Sequence, residues 1–146
     1  MLTIFISRKR ITNAINIRAF ARNLHIGQEY QESFLISPKI VNNFIELSGD
    51  NNILHTQRAS NFKNPIVHGA LLNCYISRIL GTKLPGPGTV VVKQELNFPA
   101  PCYVNDIVEF SVIVRTVRKI ITIDFECKTR DTTVLRGYAN VIVQKF

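Results

Sequence analysis

"HGALLNCYISRILG", residues 68–81, followed closely by "PGPG" at 85–88, is the stretch whose reading decides the fold. Leu71, Leu72, Tyr75, Ile76, Ile79 and Leu80 cover a wide apolar arc at helical spacing, and Gly81 stands where a helix can stop. An arc that wide marks a largely buried helix. The paired prolines and glycines then break the chain, and beyond them the period changes from 3.6 to two. Strand-like runs cover Thr89–Phe98, Asp106–Val117, Ile120–Lys128 and Val134–Lys145. In the second run Val108, Phe110, Val112 and Val114 share one face, opposite Glu109, Ser111 and Arg115. Connections as short as Arg118–Lys119 and "RDTT" imply antiparallel neighbours. One buried helix ahead of long antiparallel strands defines an α+β domain, with the sheet wrapped on the helix.

Working outward, "EYQESFLIS" alternates as a first strand. "SPKIVNNFIELSGD" then opens with Ser37 as an N-cap and Pro38 at the first helical position. Ile40, Val41, Phe44, Ile45 and Leu47 form one helical face, and Gly49 is placed to end the helix. The next segment, "SGDNNILH" at 48–55, brings an aspartate, two amides and an imidazole into eight residues. A turn uses the Gly, Asp and Asn but has no need of His55. Taken alone, Asp50 is a turn or cap residue; with His55 five positions on, it becomes half of a candidate acid–base pair.

The chain has 146 residues, 46% of them apolar, enough for one domain with a substantial core. No stretch approaches the roughly 20 uncharged apolar residues of a membrane-spanning helix, so no membrane partner is expected. The net charge of +8 is unevenly placed. Residues 1–27 carry Arg8, Lys9, Arg10, Arg18 and Arg22 and no acid, while the remainder carries 13 basic and 10 acidic side chains. An Arg-rich, acid-free, loosely amphipathic leader has the composition of a mitochondrial transit peptide. The expected organisation is therefore a transit peptide over 1–26 and a single domain over 27–146, working in the mitochondrial matrix. A secretory signal would place its apolar stretch after the basic residues, whereas "MLTIFI" precedes them. Cys74, Cys102 and Cys127 are odd in number and never spaced as C-x-x-C, which argues against a disulfide framework and against a metal site. They read as small core or near-core residues of a reducing compartment.

Four segments, "FIELSGDNNILH", "NPIVHGALL", "LPGPGTVVVKQELNFPAPCYVND" and "LRGYANVIV", resemble the MaoC-like hot-dog family. Its members are (R)-specific enoyl-CoA hydratases and 3-hydroxyacyl-thioester dehydratases. The likeness runs from about Gly27 to the C-terminus and implies a hot-dog fold with an overhanging hydratase loop. The family motif sets an Asp, an Asn-Pro two residues on, and a His five after the Asp. Here it reads Asp50, Asn52, Ile53 and His55, with Ile53 in place of the Pro. Proline would shape the loop without supplying a reacting group, so the geometry is expected to survive.

Dehydrating a 3-hydroxyacyl thioester needs a base at C2 and an acid at the C3 hydroxyl, each within hydrogen-bond reach. The resemblance assigns Asp50 and His55 to this pair. His55 at C2 and Asp50 at C3 is the preferred arrangement, although the sequence does not fix which is which. Negative charge on the thioester oxygen needs a donor, and a buried helix N-terminus supplies one. The family places the backbone N–H of the residue matching Gly69 there, and glycine leaves room for a carbonyl to approach. By the same resemblance Ser77 supports the acid and Asn52 holds the loop or orients the water. His68 reads as a structural histidine closing the loop onto the helix. Asp106, after Asn105, reads as a tight turn in which Asn tolerates a left-handed backbone.

The resemblance and the leader together imply dehydration of (3R)-hydroxyacyl groups on an acyl carrier protein in mitochondrial fatty-acid synthesis. They imply no cofactor and a homodimer formed at an open sheet edge. The alternative carrier is coenzyme A, as in the (R)-specific enoyl-CoA hydratases. An acidic carrier protein would meet a positive rim, for which Arg58, Lys63 and Lys83 are candidates. A different class, a basic RNA-binding protein, has only the pI of about 9.8 in its favour. No strand interleaves aromatic and basic residues as an RNA platform does, so no nucleic-acid partner is expected.

Overall fold

The computed structural model describes residues 23–144. The proposed transit peptide falls almost wholly outside these residues. The element order is β1 (Glu29–Leu35), α1 (Pro38–Ser48), a single 3-10 turn (Ile53–His55), α2 (Gly69–Thr82), β2 (Thr89–Asn97), β3 (Ile107–Thr116), β4 (Ile121–Thr129) and β5 (Thr132–Val143). The five strands form one sheet in the order β1-β3-β4-β5-β2, and every neighbouring pair is antiparallel. This is the wrapped α+β arrangement of a hot-dog fold.

The core lies between α2 and one face of the sheet. Alternation does the sorting: Val108, Phe110, Val112 and Val114 of β3 are buried, as are Ile121, Ile123, Phe125 and Cys127 of β4. From α2 they meet Leu71, Leu72, Ile76, Ile79 and Leu80, all buried. Tyr75 is only half-buried and stacks on Phe110, with ring centroids 5.0 Å apart. The helix is less enclosed than its sequence suggested. Ala70, Cys74 and Ser77 lie on an exposed face, because the sheet of one chain covers only the opposite side. Cys74 is accordingly exposed, a departure from the near-core reading, whereas Cys102 and Cys127 are buried. Burial pushes the Cys102 thiol up to about 12, with nearby Asp106 adding to the rise.

The helix boundaries follow the sequence signals. Ser37 accepts from the Ile40 N–H, Pro38 begins α1, and Gly49 ends it at φ 74° with its N–H bonded to the Ile45 carbonyl. Within α1, however, only Val41 is buried, and Leu47 is 83% exposed. The helix thus covers the core with one edge and leaves its last turn in the open, next to Asp50. Asn105 adopts φ 74°, and Asp106 closes the turn by accepting from the Tyr103 N–H at 2.9 Å.

The two sheet edges differ. Edge strand β1 exposes mainly polar residues, Glu29, Gln31 and Ser33, together with Leu35. Edge strand β2 exposes Val90, Val91, Val92 and Leu96, and Phe98 just beyond its end is also exposed.

Gly137 in β5 stands opposite Leu96 of β2 and Phe125 of β4. A Cβ there would lie 1.9 Å from the Glu95 carbonyl oxygen and 2.9 Å from Phe125 Cζ. The first obstacle is backbone in a paired strand, so it cannot swing aside. Gly137→Ala should destabilise the fold by about 2 kcal/mol or more, in the range of overpacked cores. This will be read as a lower denaturation midpoint in urea.

Candidate active site

Asp50 sits immediately after the left-handed Gly49, and local hydrogen bonds shape the loop from there to Leu54. Ser48 Oγ donates to the Phe44 carbonyl at 2.7 Å and accepts from the Asp50 N–H at 3.1 Å. Asp50 Oδ1 accepts from the Asn52 N–H at 3.3 Å. Asn52 Oδ1 in turn accepts from the Leu54 N–H at 3.2 Å and caps the 3-10 turn. Ile53 opens this turn, so the turn forms without the proline of the family motif. Asn52 thus takes part in two bonds of the turn, one through its N–H and one through its Oδ1.

The 3-10 turn aims His55 inward. Its Nδ1 lies 2.8 Å from the Ile66 carbonyl oxygen. A carbonyl only accepts, so Nδ1 carries the proton, and the Nε2 of neutral His55 presents its lone pair. That Nε2 is 3.9 Å from Asp50 Oδ2. The gap is too long for a direct hydrogen bond, yet short enough for one small group to reach both atoms. The His55 side chain is 11% exposed and that of Asp50 54% exposed. The imidazole is thus shielded, while the carboxylate faces solvent.

His68, 2% exposed, lies behind the pair. Its Nε2 is 3.0 Å from the Asp50 carbonyl oxygen, so this nitrogen is the donor. Its ring stacks on His55, with centroids 3.4 Å apart and planes inclined by 24°. Phe44 meets its ring edge-on at 5.0 Å.

Gly69 begins α2 directly after His68. The first N–H groups of a helix have no acceptor within it, so this end is equipped to donate to an oxygen. A Cβ at Gly69 would lie 2.7 Å from Cε1 of Phe98. The absent side chain therefore lets the Phe98 ring close over the helix start. Ser77 is on the same helix but exposed, and eight residues of rise put it about 12 Å along the axis from Gly69. Within one chain the fold thus brings together Asp50, Asn52 and His55, with His68 and Gly69 alongside, and leaves Ser77 apart. The contributions of Phe44 and Phe98 went unseen in the sequence, where both looked like ordinary apolar positions of a helix and a strand. His68 had a signal, the "VHG" ahead of the helix, but nothing in the sequence revealed which atoms it would touch.

Asp50, His55 and His68 offer three potential ligand atoms within 4.8 Å of one another. They do not make a good cation site. Two imidazoles stacked nearly in parallel direct their in-plane lone pairs along separate lines, and the His68 Nε2 is already used as a donor.

A sheet wrapped on one helix, with a His–Asp loop overhanging the helix N-terminus, defines a hot-dog protein of the hydratase type. Residues 20–135 match the family described as "MaoC like domain", and the chain belongs to that family. It is 39% identical over 117 residues to a 3-hydroxybutyryl-CoA dehydratase of Methylorubrum extorquens, covering 75% of this chain and 74% of that one. It is 36% identical over 124 residues to an (R)-specific enoyl-CoA hydratase of Rhodospirillum rubrum, covering 80% and 86%. Among solved structures, the (R)-hydratase from A. caviae involved in PHA biosynthesis superposes with a TM-score of 0.79 at 32% identity, covering 84% of this chain and 99% of that one. The protein is a hydro-lyase.

Proposed function

We propose that the protein adds water to trans-2-enoyl thioesters of coenzyme A and, in reverse, dehydrates (3R)-hydroxyacyl thioesters. The observation that carries this reading is the bare Nε2 of His55, set 3.9 Å from Asp50 Oδ2. In dehydration, His55 Nε2 takes the C2 proton while Asp50, protonated, gives its proton to the departing C3 hydroxyl, which leaves as water. The C2–H electron pair becomes the new double bond. In hydration each step reverses, with Asp50 receiving a proton from the attacking water and His55 returning one to C2. The N–H at the start of α2, at Gly69, faces the charge that builds on the thioester oxygen. The choice of carrier rests on the relatives, two of which are named for CoA substrates.

A second reading retains the chemistry and changes the carrier: an acyl carrier protein in the mitochondrial matrix. The Arg-rich, acid-free leader favours it. Of the candidate rim, Arg58 Nε donates to the Phe62 carbonyl at 3.1 Å. Lys63 Nζ lies 4.6 Å from the Tyr103 ring centroid. Arg58 is therefore engaged within the overhanging loop, and Lys63 with a ring from the segment that leads into β3.

Homodimerisation is part of the proposal. The edge of β2 carries an apolar row with no strand beside it among the described residues. A second copy of β2 would cover it and also approach the open face of α2.

Three outcomes test these points. Asp50→Asn and His55→Ala should each lower crotonyl-CoA hydration at least roughly a hundredfold, the scale of a lost general acid or base, without unfolding. Near-normal turnover in either would overturn the assignment, and crotonyl carrier protein assayed alongside ranks the two carriers. Sedimentation should give a dimer, shifted toward monomer by Val91→Glu; a stable, active monomer would contradict the interface. Residues 1–27 fused to a reporter should direct it to mitochondria, and a reporter left in the cytosol would remove the matrix reading.

A further inference from the structure

We propose that His68 is a positioning residue that fixes both members of the acid–base pair. The inference rests on the hydratase reading of the site and adds a role that the sequence had taken as structural only. The His55 side chain is held at one point of its edge, by the Nδ1–H···O bond to Ile66 at 2.8 Å. Beyond its Cβ–Cγ bond, one hydrogen bond still tolerates rocking of the ring about the side-chain torsions, and rocking would swing Nε2 away from Asp50. The face of His68, 3.4 Å from that ring and 24° from parallel, blocks the rocking. His68 is itself held from turning by Phe44, edge-on at 5.0 Å.

The other partner is held through its backbone. Asp50 lies in a loop just past a left-handed glycine, with its side chain more than half exposed. His68 Nε2–H reaches across 18 positions of sequence to donate to its carbonyl at 3.0 Å. One side chain thus sets the direction of the His55 lone pair and the position of the Asp50 main chain.

The cost of placing a histidine here supports a specific use. The Nδ1 of His68 is buried without a hydrogen-bond partner among the described residues, and leaving a buried polar atom unpaired is unfavourable. Leucine or phenylalanine would fill the space without that penalty but could not donate to Asp50. Nor does His68 act on substrate itself. Its Nε2 is as near to Asp50 Oδ2 as that of His55, 3.9 Å, but it carries its proton to the loop carbonyl and has no free lone pair there, and its Nδ1 is buried.

The test is a set of substitutions that separates the two contacts. His68→Leu removes both, His68→Phe keeps an aromatic face, and His68→Gln keeps an amide N–H near the Nε2 position. His68→Leu should lower kcat for crotonyl-CoA on the order of a hundredfold, as expected when reacting groups are displaced by about an ångström, with KM within about twofold. Phe and Gln should each recover roughly tenfold of that loss, since each restores one contact. If Leu fails to fold, Phe and Gln are compared with the unaltered protein, each expected about tenfold below it in kcat. A Leu variant with normal kcat, a loss confined to KM, or Phe and Gln variants no better than Leu would overturn the proposal. So would Phe and Gln variants at full kcat where Leu does not fold.

A second readout does not depend on turnover. Imidazole nitrogen NMR should show His55 as the Nδ1–H tautomer in the unaltered protein and as a tautomer mixture in whichever His68 variant folds with the least activity. An unchanged His55 signal there would overturn the positioning role. If the unaltered protein were inert toward enoyl thioesters, the functional reading would fall, and the NMR comparison would decide the role of His68 alone.

Discussion

The burial of α2 against the sheet is the constraint on which the remaining features depend. Leu72, Ile76 and Ile79 lose nearly all contact with water against the inward row of β3 and β4. Each such side chain contributes about 1.5–3 kcal/mol on leaving water. Because those strands alternate strictly, a register slip of one residue would turn Val108, Phe110, Val112 and Val114 outward. The helix therefore specifies the register, and the register fixes where the helix begins. That beginning, at His68 and Gly69, is the fixed point against which the Asp50–His55 loop is assembled.

The loop has few apolar contacts of its own. It is held by a chain of short-range hydrogen bonds from Ser48 through Asp50 and Asn52 to Leu54, and by two longer reaches, His55 to Ile66 and His68 to Asp50. The short-range bonds shape the turn. The longer ones tie it to the helix start, so an exposed carboxylate is presented at a defined distance from a shielded imidazole. This division accounts for the family proline being dispensable at Ile53. The loop takes its form from the hydroxyl, carboxylate and amide of Ser48, Asp50 and Asn52 and from anchoring to α2, and fixing one φ angle would add little to either.

The folded domain leaves apolar surface open on two elements. An apolar strand edge at β2 and the uncovered side of α2 lie on a molecule whose other edge, β1, is largely polar. Charge divides in a similar way, with five basic residues and no acid in the first 27 positions and 13 basic against 10 acidic side chains in the rest. A high pI is therefore weak evidence about the folded surface.

Elements with local causes were legible in the sequence. The caps of α1, the change of period after "PGPG", the alternation of β3 and the left-handed Asn105 all depend on residues within a few positions of each other, as does the Asp50–His55 spacing. Their physics is backbone sterics and periodic burial, both written along the chain. The family motif then attached chemistry to that spacing. What the sequence did not disclose depends on contacts between distant segments. Leu47 had the spacing of a buried residue, but α1 packs by its other edge. Cys74 and Ser77 sat in an apolar helix, but one sheet covers only one side of it. His68 lay 13 positions from His55 and 18 from Asp50, and only the tertiary structure could stack it on the first and bond it to the second. Side-chain identity set which groups could meet, and the packing of α2 on the sheet decided which of them did.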